Sequence, residues 1–180
     1  MLVAETQLIE ELKEPKTQEQ AFRKLMSEYK ERLYWHIRKI VISHDDADDV
    51  LQNTFIKVYK NINTFKAESK LYSWMYRIAT NEAITFINKR AKEKNIDVSE
   101  LQYKLAENLE ADVYFDGNEM QLQLQKAIAT LPQKQQLVFN MRYFDEMKYD
   151  DMSEILETSV GSLKASYHHA VKKIESFLTD

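Results

Sequence analysis

The sequence predicts an all-α chain made of two small helical domains that are joined by an acidic linker. The 180 residues include only 2 Gly and 2 Pro, and so few breakers favour long helices over a sheet that needs tight turns. Apolar residues recur at helical spacing in residues 20–90 and again in residues 121–177. Between these two stretches the apolar periodicity stops and acidic residues accumulate.

The first predicted helix begins with a capping box at residues 17–20. In this motif the Thr17 side chain accepts from backbone N–H groups of the first turn, and the Gln20 side chain accepts from the backbone N–H of Thr17. One apolar stripe then runs to about Val41. Its members are Phe22, Leu25, Met26, Tyr29, Leu33, Ile37 and Ile40.

Two further helices complete the first predicted domain, residues 1–91. Asp45 or Asp46 can cap the second helix, since acids are favourable at the positive end of the helix dipole. Its predicted buried face consists of Ala47, Val50, Leu51, Thr54, Phe55, Val58 and Ile62. After a loop at 63–68, the third helix starts at Ser69 or Lys70 and ends near Arg90.

The predicted linker covers residues 92–119 and includes a helical turn near 98–105. The second domain, residues 120–180, starts with a short helix at 121–130. Pro132 is predicted in the first turn of the next helix. That helix carries Leu137, Val138, Met141 and Phe144. Residues 149–156 form a further helix, residues 157–161 a turn that contains Gly161, and the last helix ends near Phe177.

Charge is unevenly distributed along the chain, although the net charge is only −4. Residues 57–94 contain nine Lys or Arg and three acids, a local charge of +6, whereas residues 95–119 contain one Lys and seven acids, a local charge of −6. Such blocks act on partners within roughly 10 Å at cellular salt. The pattern indicates a nucleic-acid surface, and the alternative is ordinary variation between solvated helix faces.

Several kinds of chemistry are absent. With 0 Cys the chain can form neither disulfides nor thiolate metal sites. Two isolated glycines cannot build a phosphate-binding loop, and the four histidines lack metal-ligand spacing. Four acids at 45–49 could suggest a cation site, but a helix start explains them better. No enzyme, metal or cofactor is therefore predicted. Without a membrane span or signal-peptide pattern, the expectation is a soluble, cytoplasmic protein.

Two segments have the residue types of nucleic-acid binding. In the first, aromatic side chains that can stack on bases alternate with cations, and an Asn can bind a base edge. This segment contains Phe65, Lys66, Lys70, Tyr72, Trp74, Tyr76, Arg77 and Asn81. In the second, Lys164, His168 and Lys172 place a polar, partly basic face on the last helix, with Arg142 near a phosphate. The alternatives are core aromatics in the first case and a solvated stripe in the second.

These segments also carry a family resemblance. Residues 45–59 (DDADDVLQNTFIKVY) look like the helix by which bacterial sigma factors bind core RNA polymerase, and residues 73–81 (SWMYRIATN) follow at the familiar distance. Leu131-Pro132, residues 138–143 and residues 160–164 resemble the other end of the same family. The two-domain form is similar to the extracytoplasmic-function group, and the resemblance covers about residues 20–91 and 120–178.

The resemblance implies a set of sites and partners. The expected binding site for core polymerase is Asp46, Asp49, Val50, Gln52, Asn53 and Phe55. The expected minus-ten contacts are Phe65, Lys66, Lys70, Tyr72, Trp74, Arg77 and Asn81. The expected minus-thirty-five contacts are Arg142, Ser162, Lys164, His168, His169 and Lys172. The implied partners are core RNA polymerase, promoter DNA (duplex and melted non-template strand) and an anti-sigma factor. Membrane insertion and a small-molecule substrate are not expected.

The chain departs from the family pattern at three places. Lys66-Ala67 stands where relatives often have Arg-Gly, and Asn53 stands where an acid is common. The reading helix has no Arg for bidentate contact with guanine. Two other functions stay open from the residues alone. One is a helix-turn-helix regulator that binds duplex DNA without polymerase. The other is an all-helical adaptor, which would leave the basic stretch without a role.

Overall fold

The computed structural model describes residues 3–113 and 115–180, which form helices and no strand. The all-α prediction is confirmed. The α-helices are α1 (Val3–Lys13), α2 (Gln18–Val41), α3 (His44–Asn61), α4 (Leu71–Glu93), α5 (Val98–Glu107), α6 (Glu119–Ala129), α7 (Gln133–Tyr143), α8 (Tyr149–Leu156) and α9 (Val160–Thr179). Short 3-10 turns occupy Ile62–Thr64 and Leu109–Ala111. No helix in these described ranges is both long and apolar enough to cross a bilayer.

The N-terminal domain is a bundle of α2, α3 and α4, with α1 packed across one end. Helix α1 was not predicted from the sequence. Its Leu8, Ile9 and Leu12 are buried against α2, α3 and the start of α4. The loop between α3 and α4 is therefore covered by α1, and this determines which of its side chains face solvent.

Two predicted helix caps are wrong. The Thr17 hydroxyl donates to the carbonyl of Glu11 at 2.8 Å and makes no cap bond, because the chain turns directly from α1 into α2. The cap of α3 is Ser43, whose side chain accepts from the backbone N–H of Asp46. Asp45 and Asp46 lie in the first turn instead, where a negative charge still interacts favourably with the helix dipole.

The predicted linker is more ordered than the sequence indicated. Its helical turn near 98–105 is confirmed but extends to Glu107 as α5. Leu101, Gln102 and Ala106 are buried on α5, which packs against both α4 and α6. The linker is thus part of the packed structure and connects the two domains through its own buried side chains.

The C-terminal domain consists of α6 to α9, with α8 and α9 as the helix-turn-helix pair. The predicted bounds 149–156 of α8 are confirmed. Pro132 precedes α7 rather than lying in its first turn, and Phe144 follows its end with 37% of its surface exposed. The turn before α9 is made by Glu157, which adopts a left-handed φ of 50°. Ser159 then caps α9, so the predicted role of Gly161 in the turn is wrong and this glycine lies inside the helix.

The two domains pack against each other and share one hydrophobic core. Leu33 and Ile37 of α2 belong to the same cluster as Met141 of α7 and Ile155 of α8. Helix α4 lies against α8, and α2 lies against α7. The structure is therefore a closed arrangement in which the helix-turn-helix domain covers part of the N-terminal domain.

Candidate nucleic-acid interface

The α3–α4 loop does not expose all of the aromatics that the sequence assigned to bases. Phe65 is only 3% exposed and lies beneath α1, where Lys13 Nζ donates to its carbonyl at 2.6 Å. The Trp74 ring packs on the Phe65 ring, with centroids 5.1 Å apart. Phe65 is thus a core residue here, which corrects the sequence-based assignment, and Trp74 is half-buried beside it.

Ala67 shows how this loop accommodates the change from the family pattern. Its φ is 57°, in the left-handed region that favours glycine. The backbone therefore adopts a glycine-like conformation even though the residue is Ala, at a cost of roughly 1 kcal/mol. The neighbouring Lys66 is exposed, so the loop presents a cation at the position where a melted strand is expected.

Helix α4 places Tyr72, Arg77 and Asn81 along its length after Lys70, which precedes its first turn. Tyr72 packs against Tyr76, with ring centroids 4.6 Å apart, and the Arg32 guanidinium lies 5.0 Å from the centre of the Tyr72 ring. Burial raises the pKa of Tyr72 to about 12. Asn81 is exposed.

The two predicted cations of this α4 face are engaged by the other domain. Lys70 Nζ lies 2.6 Å from Asp151 Oδ1 of α8. The hydrogen bond to Asp151 raises the pKa of Lys70. Arg77 donates to the carbonyl of Glu154 at 2.5 Å, and its other terminal nitrogen lies 3.5 Å from Glu157 Oε1. In this arrangement the acidic side of α8 lies on the basic side of α4.

Helix α3 presents a separate exposed face. Asp49, Gln52 and Asn53 are exposed on it, as the sequence predicted for a polymerase contact. Asp46 is buried and ion-paired with Arg90 of α4, and Val50 is only 1% exposed, so neither side chain faces solvent. Both are corrected to structural positions that hold α3 in place. Phe55 is 7% exposed, at the edge of the face.

Sequence reasoning missed two apolar members of this α3 face. Ile56 is 46% exposed and Tyr59 43% exposed. Together with Phe22, Met26 and Phe55 they line a shallow groove of about 290 Å³. The available signal was that Ile56 and Tyr59 lie off the buried stripe of α3, at positions where a solvated helix normally carries polar residues.

Helix α9 exposes the predicted reading surface. Lys164, His168, His169 and Lys172 are all exposed, and their spacing of three to four residues places most of them on one side of the helix. The Lys164 ammonium lies 5.7 Å from the centre of the Tyr149 ring. No group of His and acidic side chains in the described ranges could hold a metal ion.

Arg142 and Ser162 were predicted to contact DNA, but in the structure both side chains contact other parts of the C-terminal domain. Arg142 donates to the carbonyl of Met147 at 2.8 Å and lies 4.9 Å from the centre of the Tyr149 ring, so it stabilises the entry to α8. The Ser162 hydroxyl accepts from Lys134 Nζ at 3.3 Å. Both side chains are half-buried at the end of the domain that carries α9.

Comparison with protein families assigns each domain separately. Residues 25–93 match the model described as Sigma-70 region 2, and residues 121–174 match the model described as Sigma-70, region 4. The first match covers most of α2 and all of α3 and α4, and the second covers most of α6 to α9.

Similar proteins span nearly the same length. An extracytoplasmic-function RNA polymerase sigma-E factor of Haemophilus influenzae is 30% identical over 165 residues, covering 87% of this chain and 86% of the relative. The sigma factor SigW of Bacillus subtilis is 28% identical over 174 residues, covering 92% of each.

Solved structures support the fold. The structure of CnrH in complex with the cytosolic domain of CnrY has a TM-score of 0.70 at 18% identity, covering 98% of this chain and 97% of that one. The sigma factor RpoE of Bartonella quintana, in complex with the anti-sigma factor NepR, has a TM-score of 0.66 at 19% identity, covering 88% and 96%.

Proposed function

The chain belongs to the extracytoplasmic-function group of bacterial sigma factors, and from this premise we propose which of its surfaces bind the polymerase and the promoter. As a sigma factor it directs promoter recognition and transcription initiation by RNA polymerase. The observation that carries this conclusion is the presence of both sigma regions, in order, on two separate helical domains of one chain. In this role the protein works as a non-catalytic subunit in the cytoplasm.

The α3 face is the proposed binding site for core polymerase. Asp49, Gln52 and Asn53 supply polar contacts to the clamp helices of the largest subunit. The apolar groove beside them, with Ile56 and Phe55, supplies the buried centre that a stable interface needs. This face is exposed in the closed arrangement, so polymerase can reach it before the domains separate.

The α4 face and its loop are the proposed minus-ten site. Lys66, Lys70 and Arg77 would hold the backbone of the melted non-template strand, while Tyr72 and Trp74 offer ring surfaces for stacking. Asn81 supplies a donor and an acceptor to an extruded base. Phe65 supports this site from below, through Trp74, rather than contacting DNA.

The α9 face is the proposed minus-thirty-five site. Lys164, His168, His169 and Lys172 are exposed for contact with the major groove and its phosphates. Arg142, through the carbonyl of Met147, and Ser162, through Lys134, hold neighbouring parts of this domain in place beside α9. Since α9 carries no Arg, we propose that contacts with A·T pairs and with DNA shape contribute more here than the bidentate Arg contacts with guanine.

We also propose an anti-sigma factor as a regulatory partner. One of the similar solved structures is a sigma factor in complex with an anti-sigma factor, and another is CnrH in complex with the cytosolic domain of CnrY. A partner of this kind would have to contact the polymerase-binding face, the DNA-binding faces or both.

The acidic segment that joins the domains would follow the polymerase cleft, where its charge imitates nucleic acid.

Reconstituted transcription tests the proposed function. Purified core polymerase is incubated with a library of genomic promoter fragments, with and without this chain, and the transcripts are sequenced. Discrete start sites that require the chain are expected. Duplex binding without polymerase, and no dependent transcripts, would instead support an independent helix-turn-helix regulator.

Asn81→Ala should slow strand opening about tenfold and leave formation of the closed complex nearly unchanged. The physical reason is that one base-edge contact contributes about 1–3 kcal/mol, and it forms only after the base leaves the stack. Permanganate reactivity of unpaired thymines measures opening, and duplex binding by the holoenzyme measures the closed complex. Thr85→Ala, an exposed change one turn further along α4, is the control. Equal loss at both steps would contradict the assignment of Asn81.

Lys164→Ala should weaken holoenzyme binding to upstream promoter DNA and reduce the slope of log affinity against log salt by roughly 1, because one phosphate contact is lost. Affinity is measured at several salt concentrations on a duplex that contains only the upstream element. Lys94→Ala removes one exposed cation directly after α4, outside the C-terminal domain, and should leave the slope as it was. An unchanged slope for the Lys164 variant would remove this residue from the contact surface.

A further inference from the structure

Helix α1 contacts both ends of the loop that joins α3 to α4. At the start of the loop, Lys13 Nζ donates to the carbonyl of Phe65 at 2.6 Å. At its end, the Glu5 carboxylate accepts from the backbone N–H of Leu71 at 2.7 Å. Both bonds go to main-chain groups, so they fix the course of the backbone where it enters and leaves the loop.

The same two anchor residues are also buried by apolar contacts with α1. Phe65 is 3% and Leu71 1% exposed, and both belong to one apolar cluster with Leu8 and Leu12 of α1. Burial of large apolar side chains is the main force that holds α1 on the domain. The two polar bonds then define where the backbone of the loop lies relative to α1.

The spacing of the two polar side chains sets the distance between the ends of the loop. Glu5 and Lys13 lie eight positions apart (13 − 5) in one continuous helix. At a rise of about 1.5 Å per residue, their Cα atoms are separated by about 12 Å along the helix axis. Because a hydrogen-bonded helix keeps this length, α1 holds the two ends of the loop at a fixed separation.

The residues between these anchors have few restraints of their own. Lys66, Ala67 and Glu68 are exposed. Among the hydrogen bonds of the described residues, none joins the backbone of residues 66–69 to another backbone group. Ala67 has a φ of 57°, a conformation that is unfavourable for alanine. A loop of this kind takes its shape from its ends, so the conformation that presents Lys66 depends on α1.

Glu5 also positions the start of α4. The residue that precedes this helix, Lys70, makes no side-chain cap bond, and Glu5 supplies the acceptor for the first helical N–H from a different helix. Glu5 lines one cavity together with Lys70 and Tyr72. The first turn of α4, which carries two of the proposed DNA contacts, is therefore held by the same side chain as the loop.

We propose that Glu5 and Lys13 are positioning residues for base selection at the minus-ten element. They hold the α3–α4 loop in one conformation, and this conformation decides which base the loop accepts. The inference rests on the proposed minus-ten role of this loop and of α4. It gives α1, which has no proposed contact with DNA, a share in promoter selectivity.

Hydrogen exchange in the free chain tests the restraint itself. Glu5→Ala should speed exchange of the Leu71 amide at least about fivefold, because the amide loses its acceptor. Glu10→Ala makes the same change of charge at an exposed position of α1 and should leave this amide as it was. Unchanged exchange of Leu71 in the Glu5→Ala variant would overturn the proposal.

Base selection by the holoenzyme is the second test. Single-stranded non-template oligonucleotides carry each of the four bases in turn at every position of the minus-ten element, which is taken from the start sites mapped with the parent chain. The selection ratio is the affinity for the best base divided by that for the worst. Glu5→Ala and Lys13→Met should each lower this ratio about three- to fivefold, because the loop adopts the accepting conformation less often.

Three further variants serve as controls. Glu5→Gln keeps an oxygen that can accept from Leu71 and should stay within about twofold of the parent ratio. Lys16→Met removes an exposed cation directly after α1 and should have no effect. Asn118→Ala removes the cap of α6, so it lowers stability without touching the loop and should leave the ratio unchanged.

The outcomes separate this inference from the proposed function. A parent holoenzyme that selects no base at any position would count against the minus-ten role of the loop. Clear selection by the parent, kept in full by Glu5→Ala and Lys13→Met, would overturn the role of α1. An equal loss of selection in Asn118→Ala would also overturn it, because general destabilisation would then account for the effect.

Discussion

Ile56→Glu should reduce the affinity of this chain for core RNA polymerase at least about thirtyfold, because it places a charge at the centre of the proposed interface. Ile56 is 46% exposed and lines the only strongly apolar part of the α3 face, next to Phe55 and Tyr59. A carboxylate that enters such an interface loses its hydration without gaining a partner. Affinity is measured by titrating labelled chain with core polymerase in the absence of DNA.

Leu178→Glu is a matched control for this variant. Leu178 is also an exposed apolar helix residue, 47% exposed, but it lies at the end of α9 in the other domain. Both variants should keep the circular dichroism and melting temperature of the parent, since neither side chain is part of the core. If both lose polymerase binding equally, or if Ile56→Glu binds normally, the α3 face is not the principal contact.

The features that the sequence could predict are those that depend on residues close together in the chain. Helix α8 was predicted at residues 149–156 because apolar residues recur there at helical spacing before the predicted turn at 157–161. The long stripe of α2 predicted burial of Leu25, Leu33 and Ile37, which are all 0% exposed. Helical periodicity is a local property, and it fixed the fold class.

The features that the sequence could not predict depend on distant segments. Phe65 has the position of a base-stacking residue, yet α1 arrives from the start of the chain and buries it. From the sequence Asp46 was expected to be a surface acid, but its carboxylate forms an ion pair with Arg90 of α4. Ile56 lies off the predicted buried stripe of α3, but its spacing alone does not show whether another helix covers it, and in the structure it is 46% exposed. Each outcome depends on tertiary packing, and the spacing of residues along one helix carries no information about it.

The linker shows most clearly that the composition of a segment does not determine how the segment packs. Its acidic composition favoured a solvated tether, and most of its acids are indeed exposed. Yet Gln102, a polar residue with no partner in its own segment, is buried between the domains. A single buried amide cannot be recognised from sequence, because its burial requires the carbonyl of Ile40 and the side chain of Gln136 to lie within reach.

Gln102→Leu should lower the free energy of unfolding by about 2–3 kcal/mol and the melting temperature by roughly 4–12 °C. Leucine fills a similar volume but leaves the buried Ile40 carbonyl without the donor at 2.9 Å and removes the acceptor of Gln136. A buried polar group that loses its partner costs its full desolvation. Gln136 keeps weaker contacts with the carbonyls of Leu131 and Ala129, at 3.0 and 3.3 Å, which limits the loss.

Urea denaturation followed by circular dichroism measures this change, with Gln20→Leu, an exposed glutamine on α2, as the control. If Gln102 couples the domains, its loss should also separate unfolding into two transitions, because the α6–α9 domain then unfolds without the α1–α4 domain. An unaltered single transition would mean that the shared apolar core and the ion pairs between α4 and α8 hold the domains together without Gln102. In that case polymerase would have to separate Met141 and Ile155 from Leu33 and Ile37 and break those ion pairs in order to open the chain.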